Sequence, residues 1–345
     1  MTIALDARRR VFIKGLNWVG DAILATPMLR QLRRTFAGSH VTLMVRPWVA
    51  AIYEHSPDID ELWIADDSAS WGEFLSAARR VRDGRFDFGV ALPNSFRSAL
   101  LLALGRVKHR VGFRRGGRSL FLTHPIALPA ELLKQHQVHY YMRLIEWAID
   151  GKPDPPKLVL RAGEKERGEI VAMLREFGVE PDAPRIGIAP GSINSAAKRW
   201  LPERFAAVAD RLHDEGRGRV FLLGSAAERD VAGEVERHCR TPVINTAGRM
   251  SLGRMIAFME GAKAFVGNDA GAMHVAAALG VPTVAVFGPT EWMTTAPFSR
   301  AARIVREPVD CSPCMLRECP IDHRCMTRVQ VDDVMKALGE LRAAG

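Results

Sequence analysis

Short runs of buried-type residues alternate with amphipathic stretches along most of this chain, and this alternation is the feature that most constrains its fold. The runs are VFIKGL (11–16), VTLMV (41–45), LWIAD (62–66), FDFGVAL (86–92), RIGIAPG (185–191), VFLLGS (220–225), PVINTAG (242–248), AFVGND (264–269) and PTVAVFG (282–288). Strands that alternate with helices form parallel sheets with helices on both faces. The pattern therefore predicts an α/β fold built on doubly wound parallel sheets.

A proline-rich segment, GKPDPPKLVL (151–160), divides the runs into two sets, as an interdomain linker does. A chain of 345 residues also exceeds the length that one hydrophobic core usually serves. We therefore predict two Rossmann-like domains, 1–155 and 156–345, facing each other across a cleft, with the option that the last helix packs back on the first domain. In such sheets the turns after the strands bind the ligands.

The charge balance favours an anionic partner. Lys and Arg total 48 against 39 Asp and Glu, a net charge of +9, which suits nucleic acid, anionic membrane or phosphorylated ligands. Nucleic acid is not expected, because neither a recognised module nor basic residues interleaved with aromatic ones are present. No apolar run approaches the roughly 18 residues of a membrane span, and MTIALDARRR (1–10) lacks the apolar core of a secretory signal. A cytoplasmic location is the expectation.

The predicted strand-to-helix turns of the second half are rich in small residues. They are PGSINSAAKRW (190–200), GSAAERD (224–230), TAGRMS (246–251) and GNDAGAMH (267–274). Small residues allow backbone N–H groups to approach an anion, and helix N-termini add positive potential. None of these turns has the G-x-G-x-x-G or the Walker A pattern, so ordinary dinucleotide and P-loop sites lose support. In the first half, Gly20 and Asp21 open one amphipathic helix, in which Asp21 is either a first-turn acid or a functional carboxylate.

Several segments in the same order resemble one family of enzymes. They are GLNWVGDAILATPMLRQLR, ALPNSFRSAL, VGFRRGGRSLFLT, APGSINSAAKRW, GNDAGAMHVAAALGVPTVAVFGPT and CSPCMLRECPIDHRCM. Together they resemble glycosyltransferase family 9, the ADP-heptose:lipopolysaccharide heptosyltransferases, and within it the heptosyltransferase II group, over nearly the whole chain. The resemblance implies the GT-B architecture, with an N-terminal acceptor-binding and a C-terminal ADP-heptose-binding domain. It also implies inverting transfer of heptose from ADP-L-glycero-D-manno-heptose to the heptosylated inner core on lipid A, at the cytoplasmic face of the inner membrane, with no cofactor required for catalysis.

The resemblance also assigns site residues. Asp21 is the catalytic base; the donor-binding residues are Ser192, Lys198, Glu228, Asp269, Ala270, Gly271 and His274; the acceptor-binding residues are Asn94, Arg97, Arg114 and Arg115. Lys198 is the countercharge to the phosphates and Glu228 a nucleoside contact, while Ala270 stands where a hydroxyl residue is frequent. Structural alternatives remain open: Asp269 as a helix N-cap, and His274 as a packed histidine.

The arginines of the acceptor site lie in a basic segment, VKHRVGFRRGGRS (107–119). This segment also holds Lys108, Arg110 and Arg118 and suits an acceptor that bears phosphates and carboxylates, because arginine binds both groups bidentately. A solvated loop is the open alternative.

Four cysteines near the C-terminus have the spacing C-x2-C-x4-C-x5-C. Cys311, Cys314, Cys319 and Cys325, with His323 as an alternative ligand, could hold a structural zinc ion; free thiols are the equal alternative. Such a site is expected away from the donor helix. Cys239 stands alone.

Two functions of another class are also consistent with this pattern: a non-catalytic nucleotide-sugar binding protein and an epimerase of the GT-B type. Asp21 and Lys198 together favour transfer, since a binding protein has no need of a base at Asp21.

Overall fold

The computed structural model describes residues 9–146 and 152–343, which form two compact units, Met1–Leu160 and Arg161–Gly345. The predicted boundary lay at 155/156, within the segment 152–160, which has neither helix nor strand. Gly151 of the predicted linker and residues 1–8, on which the expectation about a secretory signal largely rests, lie outside the described residues. Among the described residues, no helix is both long and apolar enough to cross a membrane.

Unit 1 contains six strands. They are β1 (Arg10–Lys14), β2 (His40–Val45), β3 (Glu61–Ile64), β4 (Phe88–Ala91), β5 (His109–Phe113) and β6 (His124–Ile126). The α-helices are α1 (Val19–Leu24), α2 (Thr26–Thr35), α3 (Trp71–Asp83), α4 (Phe96–Leu104), α5 (Ala130–Leu133) and α6 (Gln137–Glu146), with 3₁₀ turns at Pro47–Ile52 and Arg118–Phe121.

The strands of unit 1 form one parallel sheet in the order β3-β2-β1-β4-β5-β6. In its register Val11 lies between Val41 and Phe88. The strand order reverses between β1 and β4, and ligands of such sheets bind at this topological switch point. Phe12, Trp63 and Phe86 pack as a cluster of tilted rings in the core, with centroids 5.2 to 5.9 Å apart.

Unit 2 repeats this organisation. Its strands are β7 (Arg185–Ala189), β8 (Arg219–Leu222), β9 (Ile244–Asn245), β10 (Ala262–Asn268), β11 (Thr283–Val286) and β12 (Ala302–Val305). Its α-helices are α7 (Glu164–Glu176), α8 (Pro202–Asp214), α9 (Arg229–His238), α10 (Leu252–Glu260), α11 (Gly271–Ala278), α12 (Trp292–Thr295), α13 (Arg324–Thr327) and α14 (Val331–Ala343), with 3₁₀ turns at Ala196–Lys198 and Ala226–Glu228.

The second sheet is also parallel and has the order β12-β11-β10-β7-β8-β9, which is the same topology as the first. Its switch point lies between β7 and β10, where Ile188 is in register with Val266. The predicted doubly wound parallel sheets are thus confirmed. Three strands were missed: β5 carries His109 and Arg110, β6 is three residues long, and β12 is a partly exposed edge strand.

The described part of α14 packs in the core of unit 2, and the option that the last helix packs back on the first domain stays a prediction. Val334, Leu338 and Leu341 of this helix are buried in the core of unit 2, together with Trp200 and Val286. Burial of each leucine side chain contributes roughly 1.5–3 kcal/mol, which holds the helix in its own unit.

Candidate functional site

The loops after β7, β8 and β10 lie side by side at the carboxyl edge of the second sheet. Ser192 and Lys198 follow β7, Glu228 follows β8, and Asp269 follows β10. The predicted donor-binding residues therefore meet at the switch point of unit 2, because β10, β7 and β8 are neighbours in the sheet.

Asp269 and Lys198 form the charged pair at the centre of this edge. The Nζ atom of Lys198 lies 2.7 Å from Oδ2 of Asp269, and the Thr290 hydroxyl donates to the same oxygen at 2.7 Å. Asp269 is buried, whereas the Lys198 side chain is 27% exposed, so the ammonium remains accessible to a ligand. Thr290 lacks any motif of its own, and the sequence analysis did not identify it.

Helix α11 begins two residues after Asp269, at Gly271. Ala270 is the N-cap, in extended conformation, and its methyl group offers no oxygen to the first amides of the helix. Asp269 is therefore not the N-cap, which removes the structural alternative for that residue. His274 lies one turn into α11 and is buried. Gly271, the first helical residue, has no side chain to cover the positive end of the helix dipole.

Asn268 is a second residue that the sequence analysis missed. Its Nδ2 donates to the Pro190 carbonyl at 2.7 Å, and its Oδ1 accepts from the Trp200 backbone N–H at 3.0 Å. The side chain is buried, and it joins the end of β10 to both ends of the loop that carries Lys198. Its position beside Asp269, directly after the apolar run 264–267, was the signal in the sequence.

Glu228 lies against the loop that follows β7. Its Oε2 accepts hydrogen bonds from the backbone N–H and the hydroxyl of Ser225, each at 2.8 Å. A Cβ atom on Gly191 would lie 2.1 Å from Oε1 of Glu228, so any other residue there would require the Glu228 carboxylate to move. Ser192, the next residue, is buried, and its carbonyl accepts from the Arg199 guanidinium at 3.0 Å.

Asp21 lies in the first turn of α1, after β1, at the switch point of unit 1. The predicted single helix is in fact two, because α1 ends at Leu24 and Pro27 occupies the first turn of α2. The Tyr141 hydroxyl is hydrogen-bonded to Asp21, and burial, followed by the Asp21 charge, raises the pKa of Tyr141 well above its usual value.

The two other tyrosines also lie near Asp21. Burial raises the pKa values of Tyr53 and Tyr140, and the Asp21 charge acts on both in the same direction. The chain has three tyrosines in all, so every phenol in it lies within electrostatic reach of this carboxylate. Sequence reasoning missed this, because Tyr53 and the adjacent Tyr140 and Tyr141 all lie far from Asp21 along the chain.

Asn94 and Arg97 follow β4 and are engaged within unit 1. Asn94 donates to the Tyr140 hydroxyl at 2.6 Å and accepts from Arg118 at 3.1 Å. The Arg97 guanidinium donates to the Asp67 carbonyl at 2.6 Å and stacks on the ring of Trp71, 4.8 Å from its centroid. Both residues therefore order the switch-point loops in this structure.

The basic segment after β4 divides into structural and exposed arginines. Arg118 is fully buried, donates to the Phe113 carbonyl at 2.9 Å, and has its pKa lowered to about 10 by burial. Arg110 donates to the Phe121 and Val107 carbonyls, and Lys108 pairs with Asp87 at 2.6 Å. Arg118 is therefore used by the fold of unit 1, whereas the Lys108 side chain is 70% exposed beside Asp87, and the prediction that this segment faces an acceptor stays a prediction.

Arg114 and Arg115 remain exposed on the turn that follows β5. Gly116 and Gly117 complete the turn with φ angles of 59° and 70°, which only glycine adopts readily. This turn holds the two guanidinium groups at the same edge of the sheet as Asp21.

Comparison with known proteins agrees with this arrangement. Residues 74–324 match the model of glycosyltransferase family 9 (heptosyltransferase). The chain is 30% identical to lipopolysaccharide heptosyltransferase 2 of Escherichia coli (strain K12) and 29% identical to that of Salmonella typhimurium, each over 315 residues, or 86% of this chain and 88% of the relative.

Solved structures extend the similarity to the fold. The structure of E. coli ADP-heptose lps heptosyltransferase II superposes with a TM-score of 0.83 at 28% identity, covering 97% of this chain and 99% of that one. A family 9 glycosyl transferase from Veillonella parvula gives a TM-score of 0.89 at 25% identity, covering 100% and 99%. The predicted GT-B fold class is confirmed.

Proposed function

The chain belongs to glycosyltransferase family 9 and is a glycosyltransferase, and from this premise we propose that it moves a heptose from ADP-L-glycero-D-manno-heptose to the heptosylated inner core of lipopolysaccharide on lipid A. The observation that carries the proposal is the Asp269–Lys198 pair beside the N-terminus of α11, at the switch point of the second sheet. An accessible ammonium and a helix N-terminus suit a diphosphate, and a buried carboxylate suits sugar hydroxyls.

The donor site would act chiefly on the leaving group. As the anomeric carbon–oxygen bond breaks, negative charge develops on the ADP phosphate, and the Lys198 ammonium and the amides of α11 are already placed to stabilise it. Asp269 accepts hydrogen bonds from the heptose, while Glu228 lies toward β8, at the nucleoside end. In this proposal, residues of the chain itself stabilise the negative charge on the departing ADP, so no cofactor is needed.

Asp21 would take the proton of the acceptor hydroxyl. An oxygen that attacks an oxocarbenium-like centre becomes acidic only as the new bond forms, so a carboxylate is a sufficient base. The Tyr141 hydroxyl, bonded to Asp21, would fix the direction in which that carboxylate points. A single displacement with a base on the acceptor inverts the anomeric centre.

Unit 1 offers a surface for an amphiphilic, anionic acceptor. Large apolar side chains are exposed after five adjacent strands: Trp71 (63%) after β3, Trp48 (49%) after β2, Trp18 (59%) after β1, Phe96 (49%) after β4 and Leu120 (88%) after β5. Indole rings pack on the apolar faces of sugars, and Arg114 and Arg115 supply charge for phosphates and carboxylates. We propose that this row receives the acceptor and rests against the cytoplasmic face of the inner membrane.

The two alternative functions are not favoured. The named relatives, matched over most of both chains, are heptosyltransferases, and a binding protein has no need of a base at Asp21.

The deciding experiment is the release of ADP and the mass of the acceptor after incubation with ADP-heptose. We expect one heptose to be added to a heptosylated lipid A core and none to a core that lacks its heptose. ADP binding without any turnover would support the binding-protein alternative, and a changed sugar on ADP would support the epimerase.

A further inference from the structure

The segment between β12 and α13, residues 306–323, has neither helix nor strand and is largely exposed. It carries Cys311, Cys314 and Cys319, and Cys325 follows in α13. Its apolar side chains bury little surface, since Met315 is 65% and Ile321 60% exposed. Structureless segments of this length are uncommon in compact domains and are usually functional. Something other than an apolar core must hold this cysteine loop.

The cysteine loop is anchored to two backbone segments of unit 2. At the first, the Ser312 hydroxyl donates to the Gly288 carbonyl at 2.6 Å and the Met315 N–H donates to the Pro289 carbonyl at 2.8 Å. Cys311 and Cys314 are the immediate neighbours of these two residues, so both are brought to the turn after β11.

The second anchor is Ala197, in the 3₁₀ turn that ends at Lys198. The Ala197 N–H donates to the Arg317 carbonyl at 3.0 Å, and its own carbonyl lies 2.6 Å from Nε2 of His323. The Ser195 hydroxyl also donates to the Arg317 carbonyl, at 3.2 Å. The cysteine loop therefore contacts the loop that carries Lys198 directly, while the expectation that the metal site lies away from the donor helix stays a prediction.

Cys325 lies at the same turn after β11 to which Ser312 and Met315 bring Cys311 and Cys314. A Cβ atom on Gly288 would lie 3.1 Å from Sγ of Cys325, so Cys325 reaches the same glycine that Ser312 bonds. Within the described residues, no three of these sulfurs lie within 4.8 Å of one another, so the cysteine loop must rearrange to form a tetrahedral site.

We propose that Cys311, Cys314, Cys319 and Cys325 bind one thiophilic divalent cation of the zinc type, and that the closed loop fixes the turn that carries Lys198. Four thiolates around one cation form a closed structural site, and the energy of binding orders a segment that lacks a core. His323 is left to hold the Ala197 carbonyl, which makes Cys325 the fourth ligand. The inference that the metal affects ADP binding through Lys198 rests on the proposed role of Lys198 at the diphosphate. The metal site itself does not depend on that role.

The first test measures the metal alone. Protein purified without a metal-binding tag, under reducing conditions, should contain about one zinc per chain, and replacement by Co²⁺ should give the sulfur-to-cobalt charge-transfer and intense tetrahedral absorption bands. Cys314→Ser and Cys319→Ser should lose the stoichiometric metal, whereas Cys239→Ser, at the end of α9, should keep it. If a serine variant fails to fold, the Co²⁺ spectrum of the parent still decides the question.

The second test measures the coupling. Removing the metal with a chelator should lower the thermal stability and weaken ADP binding several-fold in calorimetry, while circular dichroism shows that the sheets are intact. Failure to take up Zn²⁺ or Co²⁺, with all four thiols titrating as free, would overturn the site. Unchanged ADP affinity in a metal-depleted, folded protein would overturn the link to Lys198. Neither result depends on heptose transfer. Failure of the metal-site proposal is therefore distinguishable from failure of the proposed transferase function.

Discussion

The ammonium of Lys198 lies 2.7 Å from Oδ2 of the buried carboxylate of Asp269, and the Thr290 hydroxyl donates to the same oxygen. Asp269 therefore offsets the lysine charge while no phosphate is near. A bound diphosphate would share the Lys198 ammonium with Asp269. The affinity for the diphosphate therefore depends on both Lys198 and Asp269.

Replacement of Lys198 by alanine should weaken ADP binding. A charge-assisted hydrogen bond contributes about 1.5–3 kcal/mol, and the mutation leaves the Asp269 charge facing the phosphates, so we expect a loss of roughly tenfold to a few hundredfold. Calorimetric titration with ADP measures this directly. Lys263→Ala is the matched control, because Lys263 is exposed at the opposite end of β10 and its loss should leave the affinity unchanged. Equal affinity in Lys198→Ala and the parent would remove Lys198 from the donor site.

Replacement of Asp21 by asparagine should abolish most turnover but not donor binding. Asparagine keeps the size of the side chain and removes the proton acceptor, so kcat should fall by on the order of 10² or more. Asp83→Asn, at an exposed position near the end of α3, is the control and should retain full activity. A variant at Asp21 that keeps kcat within a few-fold of the parent would exclude this residue as the base.

Particular elements show how far the sequence alone could predict this protein. The apolar runs of β1 and β10 predicted the two sheets, because a strand buried on both faces has few polar residues. The same criterion missed β5, whose Arg110 is satisfied by the Phe121 carbonyl. Turn composition pointed to Asp269, but not to Thr290 or Asn268, whose partners become neighbours only after the sheet has formed. Arg118 illustrates the opposite error, since charge alone does not distinguish a buried guanidinium from a ligand-binding one.

Replacement of Tyr141 by phenylalanine should affect the chemical step more than binding. The phenol hydroxyl is bonded to Asp21, and its loss frees the carboxylate to rotate without altering the ring that fills the core. We expect kcat to fall several-fold with little change in the KM for ADP-heptose, and the acidic limb of the pH–kcat profile to move upward, because a carboxylate that loses a donor is more easily protonated. Tyr53→Phe is the control, since its hydroxyl donates to the Ala22 carbonyl. An unmoved profile would show that Tyr141 is only a packing residue.

Replacement of Trp18 by alanine should raise the KM for the acceptor. The indole is 59% exposed at the N-cap of the helix that carries Asp21, and stacking on one sugar ring contributes roughly 1 kcal/mol, or about fivefold. Trp18→Phe retains an aromatic face and should recover most of the loss, while the KM for ADP-heptose should be unchanged in both variants. An equal loss in alanine and phenylalanine variants would contradict stacking and indicate a role specific to the indole.

The three tyrosines should resist ionisation as long as the protein is folded. Burial is the largest cause of the raised pKa of each phenol, and the Asp21 charge adds to it. Because the folded state holds these protons more tightly than the unfolded chain, whose phenols ionise near pH 10, the stability they contribute is full below about pH 10 and is lost as the pH rises above it. The phenolate absorbance of the native protein at pH 10 should therefore be far below that of the chain in denaturant, and it should rise together with the loss of ellipticity. Tyr140→Phe and Tyr141→Phe should each reduce the final amplitude by about a third. Phenols that titrate near pH 10 in a protein whose circular dichroism is unchanged would contradict the buried cluster around Asp21.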